Sequence, residues 1–137
     1  NYARAYQARV MSWHGDRNEA AALLLRHLPE IEAMRYPSLI GFVYSTLAEI
    51  AFSGGDYAQA DNFARRSIAQ ASGMGNSAAL VAAHRVLYEV ALQRGDNAAA
   101  LAHHINFAAA DKAYLDEVSA RALAYQQVMA ETREKEQ

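Results

Sequence analysis

Five histidines give this chain its most obvious route to chemistry, as metal ligands or as proton carriers. Their spacing argues against it. His103 and His104 are adjacent, so on a helix they diverge by about 100° and cannot face one ion. His14 falls at a turn, His27 is paired with no ligand in this reading, and His84 and Glu89 stand five apart, one too many for a shared helical face. The neighbouring acids Asp116 and Glu117 suit a helix start better than general acid–base work. Neither a glycine-rich phosphate loop nor a serine-centred nucleophile motif occurs. The sequence therefore predicts no catalytic residue, no metal ligand and no cofactor. What remains for function is a binding surface, for which aromatic and charged residues at helical spacing bring buried area and directed hydrogen bonds.

Such a surface needs helices to hold it. Thirty-one alanines, two prolines and few β-branched residues describe an all-α chain built by close helix packing, and 137 residues suffice for one continuous core. The pair Gly-Asp stands at 15–16, 55–56 and 95–96, each time followed four residues later by an alanine, Ala20, Ala60 or Ala100. A glycine supplies the backbone freedom of a tight turn, the Asp can accept from the free N–H groups of the next helix, and the small alanine lets two helices approach. A constant spacing of forty marks a turn used three times, hence a helical repeat. Helices are expected over 2–13, 18–35, 38–52, 57–71, 78–93 and 97–113. Pro29 should kink or break the second near Leu28, Tyr36 and Pro37 should separate the first repeat from the second, and 72–77 should form the next loop. A last helix, capped by Asp116 or Ser119, is expected to place Val118, Ala122, Tyr125, Met129 and Thr132 on one face, the spacing of a capping helix or a coiled-coil seam.

The middle copy, Gly55-Asp56-Tyr57-Ala58-Gln59-Ala60, preceded by Tyr44, Leu47 and Ala48, resembles the tetratricopeptide repeat. The third copy matches in part through His84, Leu87 and Tyr88, and the first is poorest, with Arg4, Gln7 and Ala8. The resemblance implies a right-handed α-solenoid of three helix hairpins, with repeats of about 1–36, 37–75 and 76–115, followed by a C-terminal capping or exit helix over 116–137. It also implies a concave groove for a protein or peptide. The family's groove positions fall on Tyr2, Tyr6, Arg9 and Trp13, on Phe42, Ser45, Glu49 and Phe52, and on Arg85, Glu89, Leu92 and Gln93. The family's carboxylate clamp is not matched, because Ala5, Arg9, Thr46, Ala82 and Val86 stand where its polar groups belong.

The segment 107–121, leading through Gln126 into the charged run 131–136, is similar to the exit from bacterial sensor repeat domains that precede a diguanylate cyclase (GGDEF) or a histidine kinase. Gly54-Gly55-Asp56 is followed by Tyr57 rather than Glu-Phe, so no cyclase site lies here. The resemblance implies a regulatory or sensory domain whose last helix leads to an output domain and can dimerise through Val118, Ala122, Tyr125 and Met129. The alternatives are the repeat arm of a transcription activator and, more remotely, a small helical enzyme with a ligand in its groove. A net charge of −2 gives no electrostatic ground for binding nucleic acid or an acidic membrane. The longest apolar run, 20–25, is far short of the ~20 residues that span a bilayer. A cytoplasmic location is expected, or a periplasmic one if the whole protein carries a signal peptide and a membrane span.

Overall fold

The computed structural model describes Arg4, residues 16–72 and residues 77–136. Within them lie five helices and no strand: α1 (Arg17–Ala33), α2 (Pro37–Ser53), α3 (Tyr57–Ala71), α4 (Ser77–Gln93) and α5 (Asn97–Glu136). The helix expected over 2–13, with Tyr2, Tyr6, Arg9 and Trp13, lies outside the described residues, as do Gly15 and residues 73–76 of the expected loop. Helices adjacent in sequence pack against one another, and α2 also packs on α4.

The turns at 54–56 and 94–96 have one construction. Gly55 and Gly95 take positive φ, 81° and 73°. The N–H of Gly55 reaches the Phe52 carbonyl at 3.0 Å and that of Asp56 reaches Ala51 at 2.9 Å; forty residues on, Gly95 reaches Leu92 at 3.1 Å and Asp96 reaches Ala91 at 3.0 Å. These two bonds form the Schellman closure, which satisfies carbonyls at the end of a helix and requires the left-handed residue that glycine supplies. The carboxylates of Asp56 and Asp96 then accept from the N–H of Gln59 (3.2 Å) and Ala99 (3.0 Å), opening α3 and α5. Asp16 opens α1 without such a side-chain bond. Between α1 and α2, Arg35 takes the left-handed conformation (φ 52°), Tyr36 is extended, and Pro37 begins α2.

The alanines of the repeat are where close approach needs them. Ala20, Ala60 and Ala100 are all buried. One apolar cluster joins Ala20, Leu24 and Ile31 of α1 to Leu39, Ile40, Val43, Tyr44, Leu47 and Ile50 of α2. The other joins Ala48 to Ala60 and Ala64 of α3 and to Ala83, Val86, Leu87 and Val90 of α4. Helix α2 thus buries opposite faces against different neighbours, which accounts for its apolar sequence from 39 to 50.

Neither a break at Pro29 nor the boundary expected after residue 113 is present. Helix α1 runs through Pro29 to Ala33 without interruption. Where a boundary is expected between 113 and 116, α5 continues, so there is no separate capping helix and Asp116 is no N-cap. The cause is local: no Gly or Pro occurs between 97 and 136, the i,i+4 ion pair Lys112–Asp116 (3.1 Å) spans the expected break, and a second, Glu117–Arg121 (3.8 Å), follows directly after it. Forty residues of helix extend about 60 Å. In the first half Ala100 is buried and His103, Phe107 and Tyr114 are half-buried; from 118 to 136 every residue is exposed.

Candidate functional site

Two surfaces lie on opposite sides of α2. The first carries the residues predicted for a groove. Glu49 of α2 and Arg85 of α4 meet at 3.5 Å, so the ion pair bridges two helices thirty-six residues apart in sequence. Phe42 and Phe52 are half-buried on the same side, and Phe52 lies tilted on Tyr57 with ring centroids 5.5 Å apart. Glu89 is half-buried one turn beyond Arg85, and Leu92 and Gln93 are exposed at the end of α4. Ser45 must be removed from the predicted set. It is 1% exposed and its hydroxyl donates to the Phe42 carbonyl at 2.9 Å, a bond within its own helix that leaves nothing for a ligand. Thr46 does the same, and Ala82 and Val86 are buried with it, so these three positions of the missing clamp face inward, while Ala5 and Arg9 lie outside the described residues.

The second surface was not anticipated. A crevice of about 400 Å³ opens between α1, α2 and α3. Leu47, Ile50, Ala51 and Phe63 form its apolar part, and Arg17, Asn18 and Gln59 bring polar groups to it. At 100° per residue, Leu47 and Gly54 face away from Phe42, Glu49 and Phe52, and Ile50 faces away from Phe52. A counterpart lies between α3, α4 and α5: each residue lining it stands forty positions after one lining the first. Its volume is only about 100 Å³. Three exchanges account for the difference. Asp61 replaces Ala21, Arg65 replaces Leu25, and Arg94 replaces Gly54. Asp61 holds Arg65 at 2.7 Å and Arg94 at 3.7 Å, so the second crevice is filled by the protein's own ion-pair network.

Comparison of the chain with protein-family models, curated protein sequences and solved structures gives no match.

The titratable groups beside the second crevice differ from those beside the first in the same register. Tyr44 and Phe63 stack with centroids 6.1 Å apart, and Tyr44 also donates to Glu32 and lies 5.8 Å under the Arg66 guanidinium. Burial, reinforced by the bond to Glu32, raises the phenol above its ordinary pKa. Forty residues later stand His84 and His103, which line a common shallow depression. Burial, followed by the charge of His103, lowers His84 below the ordinary imidazole value. His104 packs edge-on against Tyr88 at 5.1 Å. His27, for which the sequence reading found no partner, lies 3.7 Å from Glu30, an i,i+3 spacing that the sequence displays. Among the described residues, no three His, Asp or Glu side chains converge on a point that could hold a metal ion. No helix among them is long and apolar enough to cross a membrane.

On the projecting part of α5, Val118, Ala122, Tyr125 and Met129 are all exposed and share one face. That face continues the line of Ala100, Phe107 and Tyr114, which α4 covers lower down. The arrangement therefore offers three things: a mixed aromatic and charged face on α2 and α4, a small crevice on α1 to α3, and an uncovered apolar stripe beyond the packed helices.

Proposed function

We propose that the chain is a tetratricopeptide-like repeat domain, a right-handed α-solenoid of paired helices, that binds a protein or peptide on the α2–α4 face. The observation that carries the reading is the Glu49–Arg85 pair, which links the first helices of two successive hairpins on the side of α2 that carries the half-buried Phe42 and Phe52. Neighbouring first helices line the groove of such a solenoid, and aromatic anchors beside an arginine are what a peptide face uses. The forty-residue recurrence of the turn hydrogen bonds supports the repeat assignment. The domain is regulatory: occupancy of the groove is passed to an attached output through α5, whose stripe Val118, Ala122, Tyr125 and Met129 pairs with a second copy. By the resemblance of 107–136 to sensor exits, that output is a diguanylate cyclase acting as a dimer in the cytoplasm.

Peptides selected against the protein from a random library test the groove. Their affinity should fall at least tenfold, about 1.4 kcal/mol, for Phe42→Ala and for Arg85→Ala, in variants that melt cooperatively. Selected peptides that bind both variants as tightly as the parent chain would place the binding surface elsewhere.

A further inference from the structure

The crevice between α1, α2 and α3 has the size of a small-molecule site, about 400 Å³ against the several hundred that such pockets occupy. Size alone says little, but the forty-residue counterpart shows how this fold closes the same space when it is to be closed: a guanidinium from position 94 reaches the Asp61 carboxylate. At the equivalent position 54 the chain has glycine, and the backbone there does not require one. Gly54 has ordinary helical angles (φ −84°, ψ −1°), and a Cβ added to it would meet nothing closer than 3.6 Å. The glycine that the turn does require is Gly55. Gly54 therefore acts through space, by leaving the crevice open.

We propose that this crevice binds a small carboxylic acid with an aromatic or aliphatic body. The body lies on Leu47, Ile50 and Phe63, and the carboxylate meets Arg17. The Arg17 side chain reaches across the mouth, its Nε 4.0 Å from where a Cβ on residue 54 would stand. Among the described residues no carboxylate lies within ion-pair distance of Arg17; Asp56, which also lines the crevice, accepts from the Gln59 N–H at the start of α3. An arginine at the rim of an apolar pocket selects an anion, and its planar fork suits a carboxylate. The site is on the side of α2 away from Phe42, Glu49 and Phe52, so it stands or falls independently of the peptide face.

The probe is 1-naphthylacetate, with 2-(1-naphthyl)ethanol as its uncharged counterpart, titrated into the full chain while the methyl signals of Leu47 and Ile50 are followed by NMR. Saturable shifts confined to these methyls and their neighbours are expected, with the acid binding at least tenfold tighter than the alcohol. Gly54→Leu should abolish binding of both probes, and Arg17→Gln should reduce the acid to the level of the alcohol. The proposal is overturned if no shift saturates by about 10 mM, well above the dissociation constant of a weak fragment. It is equally overturned if acid and alcohol bind alike, or if a cooperatively folded Gly54→Leu binds as the parent does.

Discussion

The two crevices share a scaffold and differ in contents. Both are built by the end of one hairpin, the first helix of the next and the helix that follows it, and both are closed at the turn by the same pair of Schellman hydrogen bonds. In the second, Asp61 draws two arginines together and little space is left. In the first, alanine, leucine and glycine stand in place of those three charges, and an open space remains. Backbone geometry is thus repeated by the residues that fix turns and close approaches, Gly55 and Gly95, Ala60 and Ala100. The side chains between them are free to diverge. Divergence at equivalent positions separates what the fold needs from what a particular hairpin does with it.

The scaffold half of the comparison is broken most severely at the alanines. Ala60 is fully buried between helices, so Ala60→Leu should overpack the hairpin and destabilise by roughly 1–3 kcal/mol. Ala58 is exposed on α3, and Ala58→Leu should be nearly neutral. Urea unfolding of the two variants decides the matter, and equal shifts would mean that the forty-residue register assigned to the helices is wrong.

A smaller effect sharpens the contrast between the aromatic pair Tyr44–Phe63 and the histidine pair His84–His103. His84 is held below its ordinary pKa by burial and by His103, so the folded chain binds fewer protons at this site than the unfolded chain. The stability this contributes is complete above the unfolded value of about 6.5. It is lost as pH falls from there through the lower folded value. His84→Tyr places the residue of the middle copy in the third and should remove this part of the acid sensitivity. The difference between the unfolding free energies of the parent and the variant should change across that window and become constant above it. An unchanged slope in the variant would show that His84 is not the responsive group.

Most helix boundaries were legible because single residues impose them. Pro37, the Gly-Asp pairs and the caps Asp56 and Asp96 fix α2, α3 and the start of α5 to within a residue of expectation. The continuity of α5 was not legible, since Asp116 and Glu117 read equally as a first turn and as members of i,i+4 pairs with Lys112 and Arg121. The groove positions come from the family resemblance, and Ser45 departs from them because a serine hydroxyl can satisfy itself on its own helix. The crevice was missed for a different reason. Its volume depends on side chains from three helices and on which of them is short, a property of packing and not of any one segment's pattern. One signal was available: the turn needs a single glycine, yet the middle copy has Gly54-Gly55 where the third has Arg94-Gly95.

That doublet gives the smallest effect and the closest test of the comparison. Gly54→Ala adds a methyl group with carbonyl neighbours at 3.6 and 3.7 Å, ordinary contacts, to a residue already in helical conformation. It also reduces the freedom of the unfolded chain, so it should be neutral or stabilise by a few tenths of a kcal/mol, about 0.5. Gly55→Ala, one residue later, has more open space, with nothing within 4 Å of the added carbon, but must hold φ at 81° and should cost about 1–2 kcal/mol. Two neighbouring glycines that both have room for a methyl group but respond with opposite signs would show that one serves the backbone and the other the space beside it. If Gly54→Ala costs as much as Gly55→Ala, the glycine at 54 is there for the turn, and the open crevice is a by-product of the turn instead of a feature kept for a ligand.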